Sequence, residues 1–586
     1  MPTISLYRTD LESLLDPMPM GSNASARRPA ARARERISIE QLEELLQLVK
    51  GEYKGQDSDT GEWRVELQDS NRPDLWCCEG IARQIRIKRG GKPLPYPFFS
   101  KKAKATQRIL VGPGIEKVRP YVVACSAIGY EVTEAGLAQL IQTQEKLADM
   151  FGRKRRTVSI GIYRLAKIRF PVHYELVKPD DARFTPLGLD QPMTLGEMLM
   201  VHPKGVEYGG ILAGAERLPL LRDEAGQALS FPPIINSREI GEVQVGDREL
   251  FVEVTGTDLQ MVILALNIFA VNLADRGARI EPVEVRYGHK TPLGKSVVAP
   301  CEIAKAHAIS LDTIGAALGQ DLSGQEIRKA LETYGYEVKL KRARVVVKLP
   351  PYRNDVMHPV DVVEDVAISR GYGSFTPVMP QQFTVGGLSR IERRSDQVRD
   401  LMVGLGYQEV MSNIMASKPE LVDRMRLAGT HWEQVVEVDN VMSLSYACLR
   451  QSLLPSLLKV EAASNRAFYP HRLFEVGEVA RPDEGRSTGS RTLMALGVLA
   501  AHQSVSFSEV HSALDLLLYY LGLDYELKSI AHPSFMDGRV GEVVIRDRAI
   551  GLIGEFHPEV LEQWQIGVPA AGLELDLSAL TEEEQE

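Results

Sequence analysis

LPPYRNDVMHPVDVVEDVAISRGYG, Leu349 to Gly373, is the stretch whose reading organises the rest of the chain. Its second half predicts a helix: Pro359 suits the first turn, where an N–H is dispensable, and Gly371 stands as the stop. Asp361, Glu364 and Asp365 follow at i, i+3 and i+4, so one helical face presents three carboxylates. Asp355 precedes the helix by less than two turns and can approach the same point. Hard oxygen donors without thiol or imidazole suit Mg²⁺, which takes few carboxylates and keeps water or phosphate in its other positions. Acids in a first helical turn are also favoured by the helix dipole alone, so the residues leave both readings open.

Working outward, the region from about Val297 to Pro377 reads as two short helices, Leu311–Leu318 and Ser323–Tyr336, and one strand, KLKRARVVVKL, before that final helix. Upstream, a second region runs from about Arg86 to Leu259. RPYVVACSAIGY (Arg119 to Tyr130) and TVSIGIY (Thr157 to Tyr163) predict strands. Leu137, Leu140, Ile141 and Leu147 recur at helical spacing with Gly152 as the stop, and FVEVTGTD (Phe251 to Asp258) leads into a helix. At the amino-terminal end, Ser38 and Gln41 have capping-box spacing, Gly51 is expected to close that helix, and WRVEL (Trp63 to Leu67) predicts a strand. GSNASARRPAARARER (Gly21 to Arg36) cannot bury a core and reads as a flexible basic insertion. From Gln382 on, a helix with Val398, Leu401, Met402 and Leu405 on its apolar face precedes strands such as HRLFEVGEVA. The terminal TEEEQE is expected to fray. No internal repeat is visible.

The 586 residues accommodate three to five domains at about 100–200 residues each, with a globular balance of 44% hydrophobic and 25% charged residues. A formal charge of −9 argues at face value against a dedicated nucleic-acid binder. Basic runs nevertheless gather in the amino-terminal half, at Arg27–Arg36, Arg83–Arg89, Lys101–Arg108 and Arg153–Arg156, and together they favour an RNA contact surface. No apolar run is long enough to span a membrane, and Asp10 and Glu12 interrupt any signal-peptide pattern. Five cysteines without a C-x-x-C pair fit a reducing cytosol, so a cytoplasmic location is expected. GHKTPLGKS (Gly288 to Ser296) fails as a phosphate loop: five residues separate its glycines, Pro292 intervenes, and no helix start follows. No H-E-x-x-H motif occurs, and no G-x-S-x-G nucleophile elbow is expected.

Eight segments then occur in a telling order: NRPDL (71–75), SFPPIIN (230–236), VEVTGTD (252–258), the stretch from Pro350 to Gly373, LRQSLLPSLL (449–458), HRLFEVGEVA (471–480), HPSFMDGR (532–539) and IGEFHPEVL (553–561). On them the chain resembles, over nearly its whole length, the beta subunit of phenylalanine–tRNA ligase in its archaeal and eukaryotic cytosolic form. The insertion at 21–36 departs from that family's pattern. A stand-alone paralogue that binds or edits tRNA without an alpha subunit is the rival reading; the intact LRQSLLPSLL and HPSFMDGR segments argue against it.

The resemblance implies an α+β, multidomain fold. It comprises an amino-terminal α+β domain (1–85) and an editing, B3/B4-like domain of mixed α/β type (86–285). A helix-rich, DNA-binding-like B5 domain with the metal site (290–378) follows. Last comes a class II synthetase-like antiparallel sheet domain (382–586) that lacks catalytic residues, since Ala480 and the Gly572-Leu-Glu-Leu run supply no phosphate-holding arginine and Arg481 is a near miss. It implies an α2β2 heterotetramer in which the alpha subunit uses ATP to join phenylalanine to tRNA(Phe). It also implies an editing pocket at Leu221, Ser230, Glu253 and Thr255. There Glu253 would accept from the tyrosine hydroxyl of mischarged tyrosyl-tRNA, and Ser230 and Thr255 would orient substrate or water. Asp355, Asp361, Glu364 and Asp365 would bind a Mg²⁺ shared with the alpha subunit.

Overall fold

The computed structural model describes all residues except 1, 16–35, 69–70, 91–93, 101, 465 and 583–586. The insertion expected at 21–36, apart from Arg36, and most of the terminal TEEEQE lie outside the described residues. The chain divides into two compact units, Met1–Val378 and Met379–Glu586.

The first unit is built around a ten-stranded mixed sheet. From one edge its order is Ile235–Asn236, Ala228–Phe231, Leu218–Arg222, Val172–Val177, Gln107–Val111, Arg279–Thr291, Tyr121–Ile128, Glu249–Gly256 and Val158–Arg164, with Gly294–Ala299 hairpinned onto Arg279–Thr291. The pairs that Gln107–Val111 makes with both neighbours are parallel and the rest antiparallel. Residue 285, where a domain boundary was expected, falls inside a strand, and the hairpin carries the sheet on to Ala299. The rejected phosphate loop is the turn of this hairpin, with Gly294 at φ +102.

Helix Leu259–Asp275 is apolar nearly all round, as befits a helix enclosed on every side, and its Asp258 cap accepts from the N–H groups of Gln260 and Met261. Its apolar residues join one core with the inward residues of Tyr121–Ile128 and Glu249–Gly256. Each such buried leucine, isoleucine or phenylalanine contributes roughly 1.5–3 kcal/mol. At its end Asp275 receives Arg83 and Arg86, and the following Arg276 reaches Asp10 and Glu79.

The Ser38 capping box forms, but the helix it starts ends at Leu46 and passes into a 3₁₀ turn. Gly51 opens a strand rather than closing the helix, because Lys50 takes the left-handed position at φ 48. The region expected to be helix-rich holds three helices, Leu311–Leu318, Gly324–Glu332 and Pro359–Arg370, together with a three-stranded antiparallel sheet. KLKRARVVVKL is a hairpin, Glu337–Lys341 and Arg344–Lys348, not one strand: Arg342 adopts φ 38 and turns the chain.

In the second unit a seven-stranded sheet is antiparallel apart from the two-residue edge strand Gln408–Glu409. Period-two alternation along His471–Pro482 divides its core. Phe474 and Val476 face helices Arg390–Gly404 and Phe507–Leu521. Leu473 faces the cluster containing Leu454, Leu457 and Leu458 of helix Leu454–Ala463.

Candidate functional site

Glu253 lies at the centre of the strand triplet, opposite Ala124 on one side and Gly161 on the other. It is 2% exposed. Tyr163, two residues beyond Gly161, donates its hydroxyl to Glu253 Oε1 at 2.9 Å and reaches Asn236 Oδ1 at 3.4 Å. Glycine at 161 is required by this arrangement. A Cβ there would stand 2.1 Å from Tyr163 Oη and 2.6 Å from Glu253 Oε1.

The edge strands bring in the other expected residues. Leu221 pairs with Ser230, and Ser230 with Asn236. Leu221 is fully buried in the cluster that contains Tyr163, Tyr174 and Phe251. Among the described residues Glu253 Oε2 is buried without a hydrogen-bond partner, and Ser230 Oγ is buried with the Tyr163 hydroxyl as its one polar neighbour. Buried polar atoms are nearly always paired, so the unpartnered Glu253 Oε2 has capacity for one more donor.

Thr255 has a different task. Its Oγ1 accepts from Arg119 Nε at 2.9 Å and lies 2.9 Å from Ser159 Oγ. Arg119, 1% exposed, also donates to Ser159 Oγ, to the Thr255 carbonyl and to the carbonyls of Arg155 and Arg156. Thr255 therefore seats a guanidinium, and its hydroxyl is already engaged.

The electrostatics follow from burial. Desolvation pushes the Glu253 carboxyl up to about 7, against the opposing effects of the Tyr163 hydrogen bond and the Arg119 charge. Burial likewise depresses Arg119, to about 10. A carboxyl poised near neutrality, with one oxygen unpartnered, can accept a hydrogen bond from a phenol or position a proton near a reacting ester.

The four carboxylates expected to share a Mg²⁺ do not converge. Asp355 is clamped by Arg353, at 3.0 and 2.7 Å, with Arg72 at 3.8 Å. Burial would raise its carboxyl, but the two arginines hold it at about 2. Asp365 takes Arg353 Nη2 at 2.7 Å and the Tyr336 hydroxyl at 2.5 Å. Asp361 accepts from the N–H groups of Met357 and His358 at the helix start, and Glu364 pairs with Lys50 at 2.6 Å. Helical spacing placed three acids on one face, but Asp365 turns into the core while Glu364 stays exposed. Among the described residues no group of three or more His, Cys, Asp or Glu side chains could hold a metal ion. As one four-carboxylate site, the set does not fit Mg²⁺.

The basic runs are also divided. Arg83 and Arg86 are spent on Asp275, and Arg155 donates to the carbonyls of Pro233 and Ile234. Arg153, Lys154 and Arg156 remain exposed, on the turn whose carbonyls hold Arg119. Reading the sequence missed Arg119, Gly161, Tyr163 and Asn236. The one local signal was a glycine set between β-branched residues in TVSIGIY, which marks a close approach.

Two family models match the chain: the tRNA synthetase B5 domain over residues 307–372 and the phenylalanyl-tRNA synthetase beta chain CLM domain over 376–577. Among curated proteins, the phenylalanine–tRNA ligase beta subunit of Thermococcus kodakarensis is 39% identical, over 93% of this chain and 96% of its own. Those of Borrelia turicatae (36%, over 93% and 96%) and Treponema pallidum (38%, over 88% and 86%) are comparably similar. In three dimensions, an N-terminal fragment of the phenylalanyl-tRNA synthetase beta subunit from Pyrococcus horikoshii matches with a TM-score of 0.56 at 36% identity. That match covers 64% of this chain and all of the fragment. With relatives this similar along nearly their full length, the chain belongs to the phenylalanine–tRNA ligase beta subunit family.

Proposed function

We propose that this chain is the beta partner of an α2β2 phenylalanine–tRNA ligase in the cytoplasm, and that its own chemistry is hydrolysis of mischarged tyrosyl-tRNA(Phe) in the Glu253 pocket. The alpha subunit performs the ATP- and Mg²⁺-dependent attachment of phenylalanine. A synthetic pocket shaped for a phenyl ring rejects an added hydroxyl only weakly, so a second site must recognise that hydroxyl. The observation that carries the reading is the buried Glu253 Oε2, unpartnered among the described residues, on a carboxyl whose other oxygen is held by Tyr163. In this reading the tyrosine hydroxyl donates to Glu253, Ser230 hydrogen-bonds the substrate or the attacking water, and Leu221 packs against the ring. Thr255 acts through Arg119. The exposed Arg153, Lys154 and Arg156 meet tRNA phosphates. The Mg²⁺ expectation narrows to Asp361 and Glu364, the two carboxylates outside the Arg353 clamp, with the Lys50 pairing of Glu364 displaced when the ion binds.

Co-expression with the candidate alpha subunit, followed by assays of charging and of tyrosyl-tRNA deacylation, tests the proposal. Glu253→Ala should abolish deacylation and leave phenylalanine charging intact. Unchanged deacylation removes the pocket assignment, and failure to form a heterotetramer removes the subunit assignment. Metal content that is unchanged in the Asp361→Asn, Glu364→Gln double variant removes the Mg²⁺ role.

A further inference from the structure

The second unit contains a cavity of about 220 Å³ that none of the functions above employs. Its wall is apolar, with Met425, Leu427, Leu454 and Phe535, and is closed by the ring of His532, which lies 5.0 Å from Trp432 and 5.2 Å from Phe535. Polar side chains share the lining. Glu574, 7% exposed on strand Ala570–Asp576, commits Oε2 to Ser452 Oγ at 2.5 Å and to the N–H of Leu453 at 2.7 Å. Its Oε1 stands 3.7 Å from Arg481 Nη2, an ion pair too long for a direct hydrogen bond. Gln451 donates Nε2 to the Trp432 carbonyl at 3.0 Å, which leaves its Oε1 buried with no donor. The cavity thus offers one acceptor short of a donor among the described residues, Gln451 Oε1, and a carboxylate oxygen loosely paired with a partly exposed guanidinium.

We propose that this cavity binds a free α-amino acid with an apolar side chain. The ammonium donates to Gln451 Oε1 and Glu574 Oε1, the carboxylate meets Arg481, and the side chain fills the apolar wall. The volume is below the roughly 300–1,000 Å³ of drug-sized pockets and equals about seven waters at ~30 Å³ each, room for one small ligand. Water alone would leave the apolar wall hydrated and the acceptors served only by a mobile donor. A nucleotide is too large and would set its phosphates against Glu574. Burial raises the Glu574 carboxyl above its ordinary range, and a cation against Oε1 favours its ionised form.

The test is titration of the full chain, without an alpha subunit, with L-leucine, L-methionine and L-phenylalanine, read by calorimetry. Binding of at least one with a Kd of about 1 mM or tighter is expected. The Arg481→Met variant, at an exposed position, should weaken it about tenfold or more, the loss of one charge-assisted hydrogen bond. The corresponding amino-acid amide, which lacks the carboxylate, should be weakened alike. Glu253→Ala, which is expected to abolish deacylation, should leave this amino-acid binding unaltered. No saturable binding by the unaltered chain overturns the proposal, as does binding indifferent to Arg481→Met. Binding lost in Glu253→Ala overturns it too, by placing the ligand in the first unit.

Discussion

Glu253→Gln isolates the energetic consequence of burying a carboxyl beside Tyr163. The amide keeps an acceptor for the Tyr163 hydroxyl but cannot titrate. In the folded chain the Glu253 carboxyl is raised from its ordinary 4.5 to about 7, so between those values the folded state holds a proton that the unfolded state has released. Stability is therefore highest below about pH 4.5 and falls as pH rises to about 7, above which the penalty is constant. At roughly 1.4 kcal/mol per pH unit, that displacement corresponds to about 3 kcal/mol. The variant has no such slope. Its stability relative to the unaltered chain should climb by about 3 kcal/mol from about pH 4 to about pH 8, several degrees in melting temperature. Paired unfolding curves across that range measure it. A stability difference that does not change with pH refutes the reasoning, since it would mean that Glu253 ionises as freely in the folded state as in the unfolded chain.

Tyr163→Phe removes the one hydrogen bond to the Glu253 carboxylate among the described residues and should cost about 1–3 kcal/mol while moving the pH inflection above 7, both read from the same curves. Gly161→Ala forces a methyl group into Tyr163 and Glu253 and should lower stability by about 1–3 kcal/mol, seen as a lower melting temperature. Arg353→Met leaves Asp355 and Asp365 in the core without their shared guanidinium and should cost about 3–5 kcal/mol near neutral pH, with part of the loss recovered in acid as Asp355 protonates; urea midpoints at two pH values decide it.

Local patterns carried much of the fold. The helix Pro359–Arg370, the capping box at Ser38, the strand Trp63–Leu67 and the strand–helix pair around VEVTGTD were legible because caps, stops and apolar periodicity act within a few residues. The hairpin within KLKRARVVVKL was not, since its turn rests on Arg342 at φ 38, a conformation no side chain announces. Leu221, Ser230, Glu253 and Thr255 were named through family resemblance, and their roles then diverged according to what each meets across the sheet.

The sequence by itself determined the element types, the absence of a phosphate loop and, through eight ordered segments, the family. Tertiary structure decided what the charged groups do. Register set Glu253 opposite Gly161 and let Tyr163 fold back onto it, and the same pairing saturated Thr255 with Arg119 and Ser159. Arg353 divided the carboxylates that helical spacing had placed together. An ionisable side chain takes its state from whatever shares its low-dielectric surroundings, and residues far apart in sequence supply that company.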